Sequence, residues 1–309
     1  MEKNARWNAS DIPDLTGREV IVTGANSGIG AVTAAALSAA GASVTMAVRD
    51  LEKGREAAGA MTGTVEVMQL DLSDLASVRE FAASWSLAHP EGLDLLINNA
   101  GIMAIPRTVS VDGFEMQLAT NHLGHFALTG LLLPALVARP QSRVVTVASS
   151  AHKMARSVNF DDLMGESKYR SWGAYGQSKL ANLLFTAELQ RRLTASGMHI
   201  KAMAAHPGFA STNLQARSPQ LRGARLEERI TALATSVIAQ SAEMGALPTL
   251  YAATAPGLPG DTYVGPDGRG EVKGFPKIVG RSSAAKDEAS ARRLWNVSEK
   301  LTGVEYPFD

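Results

Sequence analysis

The sequence predicts a doubly wound α/β domain, a single parallel sheet with helices on both faces, on three features. Short apolar runs rich in β-branched residues alternate with helical segments along most of the chain. The first run, Val20 to Val22, ends in the glycine turn TGANSGIG at 23–30 and passes directly into the alanine-rich AVTAAALSAA, which stops at Gly41. No linker, repeat or low-complexity stretch divides the chain, so residues 1–309 are expected to form one domain.

The elements follow in order. Ser43–Val48 reads as the second strand, followed by Arg49 and Asp50, and Val65–Leu70 as the third, ending at Asp71 and Leu72. Ser73 is the expected cap of a helix reaching Leu87. Leu93–Ile97 is the fourth strand, ending in NNAG at 98–101, and a long helix is expected from Gly113 to Val137. Val144–Val147 forms the fifth strand and leads into Ser149 and Ser150. A helix carries AYGQSK at 174–179 and ends before Gly197; the strand Ile200–Ala204 follows, ended by His206, Pro207 and Gly208. Residues 214–240 mix apolar and basic positions at helical spacing and read as part of a substrate cap at about 209–240. Glu243–Thr254 is a further helix, Thr262–Val264 a last short strand, and Ala284–Leu301 a terminal helix.

Composition narrows the function. With 45% hydrophobic and 19% charged residues the chain is an ordinary globular protein, and 30 basic residues balance 30 acidic ones. Such a balance gives no field for nucleic acid or an anionic membrane. The absence of cysteine excludes disulfides, thiolate metal sites and a cysteine nucleophile, and suits a reducing, cytoplasmic setting. The charged N-terminal stretch has no apolar run, so no membrane anchor is expected there. His122 and His125 stand three apart, but no third ligand lies at a convincing spacing, so no metal site is expected.

Two patterns carry chemistry. A glycine turn between a strand and a helix lets the backbone approach a bound group while the helix N-terminus offers unpaired N–H groups to a phosphate. Gly24, Asn26, Ser27, Gly28, Ile29 and Gly30 are therefore candidate dinucleotide contacts. Strand ends on the same rim place Asp71, Ala100 and Gly101 along the adenine and ribose channel. Arg49 after the second strand favours the 2′-phosphate of NADP(H) over NAD(H); the alternative is that Arg49 only faces solvent and Asp50 contacts the ribose. In the second pattern Tyr175 and Lys179 are four apart, one helical turn, which brings an ammonium near a phenol and favours its ionisation.

In their joint order TGANSGIG, Asp71 with Leu72, NNAG, Asn121, Ser150, YGQSK at 175–179 and PG at 207–208 resemble the short-chain dehydrogenase/reductase family, over about Gly17 to Leu301. The spacing of Gly24 and Gly28 is similar to its compact subdivision. GANSGIG, Arg49, the long Ser150–Tyr175 interval and RLWNVSEKLTG are similar to its retinol dehydrogenase-like branch. The resemblance implies a Rossmann-type sheet and an NADP(H)-preferring oxidoreductase, with NAD possible, that interconverts a small apolar alcohol and its aldehyde or ketone. It places the catalytic tetrad on Asn121, Ser150, Tyr175 and Lys179. Ser150 is taken over Ser149 as the second of the pair, Tyr175 is the acid/base, Lys179 its tuner and a ribose ligand, and Asn121 holds a relay water. Pro207, Gly208 and Thr212 would face the nicotinamide, and the resemblance adds Leu72 and Asn98 as cofactor contacts. A monomer or homodimer is expected, with no nucleic-acid partner. The alternative is a non-catalytic dinucleotide-binding redox sensor or interaction module.

Overall fold

The computed structural model describes residues 6–209 and 240–308. The expected cap, apart from Phe209 and Gln240, and Thr212 lie outside the described residues. Strands β1 (Glu19–Thr23), β2 (Ser43–Val48), β3 (Thr64–Gln69), β4 (Leu95–Asn98), β5 (Arg143–Val147), β6 (Lys201–Ala205), β7 (Tyr263–Pro266) and β8 (Pro276–Ile278) form one sheet in the order β3-β2-β1-β4-β5-β6-β7-β8. All pairs are parallel except β7 with β8. The order reverses between β1 and β4, so their carboxyl ends flank the crevice where doubly wound sheets bind ligands.

β1 shows why the strands read as unbroken apolar runs. Ile21 packs into one hydrophobic layer with Phe126, Phe185 and Trp295, whereas Val20 and Val22 point into the other with Leu37, Met46 and Leu250. Both sheet faces are covered, so alternation with polar residues is lost. The strand that the sequence reading does not anticipate is β8, whose residues are partly to fully exposed. It is a short edge strand starting at a proline and carrying a lysine, features that blunt an edge against further pairing.

The helices are α1 (Gly28–Ala39), α2 (Leu51–Ala58), α3 (Leu75–Ala88), α4 (Gly124–Leu131), α5 (Leu133–Val137), α6 (Ser171–Ala195), α7 (Ala242–Thr254) and α8 (Glu288–Thr302). Helix α2, capped by Asp50, is not anticipated by the sequence reading, and three others differ from expectation. The cap of α3 is Asp74, whose carboxylate accepts the Ala76 and Ser77 N–H groups, while Ser73 is tied to Asp71. The single helix expected over 113–137 is instead a turn at Met116–Leu118, a π-helical segment at Ala119–Leu123, then α4 and α5. Pro134 in the first turn of α5 explains the second break, because proline tolerates a helix start and not an interior. Finally, Ala284–Lys286 is a separate 3₁₀ turn before Asp287, which caps α8.

The C-terminus is held by aromatic packing. Tyr306 lies 5.0 Å from Phe126 and 4.5 Å from Trp295 between ring centroids, and its hydroxyl donates to the Phe126 carbonyl at 2.7 Å. Among the described residues no helix is long and apolar enough to cross a membrane.

Candidate active site

The glycine turn is built for close approach. Gly24 and Gly28 adopt φ of 64° and 55°, where a side chain is strained, and a Cβ on Gly24 would stand 2.9 Å from that of Ala100. Ser27, the N-cap of α1, makes no side-chain capping bond, so the first N–H groups of the helix stay open to an anion. The Thr23 hydroxyl binds the turn to NNAG by accepting the Asn99 and Ala100 N–H groups at 2.9 Å each. These features fit a dinucleotide pyrophosphate. Arg49 is exposed at the end of β2. Asp50 is committed elsewhere: it caps α2 through the Lys53 N–H and pairs with the Lys53 ammonium at 2.7 Å.

Not every expected rim residue turns its side chain to the rim. Asn98 is fully buried and donates to Thr129 Oγ1, away from the crevice, and Leu72 packs in the core. Ile29 packs partly into the second core layer. Asp71, Asn26, Ser27, Ala100, Gly101, Pro207 and Gly208 are half-buried on the rim.

The tetrad expectation shifts by one residue. The serine whose side chain acts on the Tyr175 phenol is Ser149, not Ser150. Ser149 is half-buried, and its Oγ also accepts the Ala151 N–H at 3.1 Å. Ser150 is exposed and opens the 3₁₀ turn that Ser149 caps. The physical reason is the strand exit: β5 ends at Val147, Ala148 stays buried, and the next residue on the rim is Ser149.

Tyr175 and Lys179 lie on one face of α6, both almost fully buried. The ammonium donates to the Val147 carbonyl at 3.0 Å and stands 5.9 Å from the centre of the tyrosine ring. Burial pushes the Tyr175 phenol up from its ordinary value, and the bond to Ser149 pulls it part of the way back. Burial lowers Lys179 to about 8. Desolvation therefore outweighs the acidifying influence expected of Lys179. The phenol remains protonated at neutral pH.

Asn121 sits fully buried in the π-helical segment with its amide spent: Oδ1 accepts the Ile102 N–H at 2.8 Å, and Nδ2 donates to the Ile102 carbonyl and Ser178 Oγ. A Cβ on Gly101 would stand 3.2 Å from Asn121 Oδ1 and 3.4 Å from Lys179 Nζ, so only glycine leaves this corner open. His125 Nδ1 donates to the Asn121 carbonyl at 3.1 Å, and burial lowers the ring to about 3, so Nε2 accepts the Thr23 hydroxyl. His122 contacts Ser298 Oγ at 2.8 Å and is likewise held neutral by burial. His152 is a buried clamp, donating to the Ser149 carbonyl at 2.7 Å and accepting the Ser282 N–H. A cavity of about 340 Å³ near the start of α6, lined in part by Met154, Tyr169 and Gln177, does not reach Tyr175 and is not the carbonyl site.

Fold and crevice together define a nucleotide-dependent oxidoreductase. Residues 18–222 match the model of the short chain dehydrogenase family, and the chain belongs to that family, in its retinol dehydrogenase-like branch. It is 42% identical to human retinol dehydrogenase 13 over 95% of this chain and 87% of that one. It is 41% identical to human retinol dehydrogenase 11 over 94% and 87%. Among solved structures, an uncharacterised protein from Mycobacterium paratuberculosis superposes with a TM-score of 0.82 at 52% identity, covering 98% of this chain and 99% of the other. The chain is an NAD(P)-dependent enzyme acting on CH–OH groups.

Proposed function

We propose that the protein is an NADP(H)-preferring oxidoreductase that interconverts an apolar alcohol with its aldehyde or ketone, with Tyr175 as the acid and base. The observation that carries this reading is the Ser149–Tyr175 hydroxyl pair, set at the carboxyl end of β5 on the same rim as the glycine turn. Two adjacent hydroxyls can grip one carbonyl oxygen, Ser149 donating a hydrogen bond and Tyr175 delivering the proton. A phenol that burial keeps protonated suits reduction.

The nicotinamide, when bound, supplies or accepts the hydride. What the chain does is place and protonate: Gly24–Gly30 and the N-terminus of α1 hold the pyrophosphate, and Lys179 binds the nicotinamide ribose. Asn121 anchors the NNAG exit through Ile102 and is the relay residue of this reading. Pro207 and Gly208 face the nicotinamide, and Thr212 belongs to the same reading. NADP(H) is favoured because Asp50 is already paired with Lys53, whereas Arg49, at the end of β2, has no ion pair among the described residues. The exposed Trp172, edge-on to Tyr175 at 6.0 Å, supports an apolar substrate. The cap at about 209–240, within a single domain, would complete that pocket. The cysteine-free composition supports a cytoplasmic setting.

Purified protein mixed with NADPH and a panel of apolar aldehydes and ketones, retinal included because relatives are named for retinol, tests the reading by loss of cofactor absorbance. Cofactor binding without turnover of any member would favour the non-catalytic sensor instead.

A further inference from the structure

The hairpin between β7 and β8 packs against the segments that follow β5 and β6. At its tip Gly270 and Glu271 have φ of 67° and 58°, successive left-handed residues, and the second carries a side chain. A glutamate held where glycine would be relaxed calls for a reason. Its carboxylate lies 3.1 Å from His206 Nε2 and 3.3 Å from Lys153 Nζ. These partners come from two different walls. Lys153 belongs to the 3₁₀ turn capped by Ser149, and His206 directly precedes Pro207 and Gly208.

His206 is fully buried, and burial lowers it to about 4, so the ring is neutral. Its Nδ1 accepts the Gly208 N–H at 3.3 Å, which leaves the ring proton on Nε2; that buried nitrogen has no aligned hydrogen-bond partner, and the Glu271 carboxylate, 3.1 Å away, is the acceptor beside it. The same hairpin grips the turn by its backbone: the Phe209 N–H donates to the Val272 carbonyl at 2.7 Å, and Gly208 lies against that carbonyl.

We propose that Glu271 is a positioning residue that ties the Pro207–Gly208 turn, through His206, and the Ser149 segment, through Lys153, into one geometry. The inference rests on the function proposed above, in which those two segments face the nicotinamide and the carbonyl.

Glu271→Gly tests it, because glycine suits the left-handed backbone while the carboxylate is lost. The expected result is a thermal midpoint equal to or above that of the parent. NADPH affinity, read by fluorescence titration, falls about fivefold and carbonyl kcat/KM about tenfold. Glu271→Gln keeps an oxygen facing His206 Nε2–H and should restore NADPH affinity to within about twofold of the parent. Lys153→Met should raise the carbonyl KM and leave NADPH affinity unchanged. Parental affinity and turnover in Glu271→Gly overturn the proposal, as does a midpoint that drops in both Glu271 variants, since the residue would then only hold the hairpin. A parent protein that neither binds NADPH nor reduces a carbonyl overturns the underlying function, and this inference with it.

Discussion

The Ser149 side chain lies beside the Tyr175 phenol and favours its ionised form, while Ser150, its neighbour in the chain, is exposed. Two serines adjacent in sequence therefore differ in what they can do. Ser149→Ala is expected to lower kcat by about 10²-fold, the loss typical of one oxyanion donor. Ser150→Ala should stay within about threefold of the parent, as surface substitutions do. Steady-state rates of the two variants decide between them; equal losses would mean the pair acts as a unit.

Tyr175→Phe removes the proton donor and keeps the ring that packs against Trp172. Carbonyl reduction should fall by about 10²–10⁴-fold, with NADPH affinity close to that of the parent. A variant that turns over at the parental rate would show that the proton comes from elsewhere.

Arg49→Asp exchanges the cation at the end of β2 for a carboxylate that repels a 2′-phosphate. The ratio of NADPH to NADH efficiency should drop by roughly tenfold or more, one decade for each ~1.4 kcal/mol lost. Titration with both nucleotides measures this directly, and an unchanged ratio would remove Arg49 from phosphate recognition.

Lys179 carries a stability cost with a defined pH window. Its value of about 8 in the fold lies below the ordinary 10.5, so between these limits the unfolded chain binds the proton and the folded chain does not. Stability therefore rises with pH across that window, and the cost is greatest below pH 8. Lys179→Met should be inactive yet more stable at pH 7, by on the order of 3 kcal/mol, with the gain shrinking toward pH 10. Urea unfolding at pH 7 and pH 9.5 checks it; the same gain at both would mean that burial does not disfavour the ammonium.

Much of this is legible in the sequence. The β-branched runs, the glycine turn and Gly41 located β1 and α1, because a buried parallel strand and a phosphate-facing turn each demand particular residue types. Tyr175 and Lys179 were legible for the same local reason, a helix turn linking positions four apart. β8 was not, since an exposed three-residue edge strand carries no hydrophobic pattern. The distorted helix around Asn121 was hidden because its cause, an amide shared between Ile102 and Ser178, joins segments 19 and 57 residues away.

The sequence by itself determined the fold class, the family and the order of the site residues, because those follow from local conformation and residue chemistry. Only the tertiary structure decided which serine meets Tyr175, that Asp50 is spent on Lys53, that Asn98 turns into the core, and that Glu271 reaches both His206 and Lys153. Each depends on where a strand exits the sheet or on which distant side chain fills the remaining valence of a buried group. Neither is written in the spacing of residues along the chain.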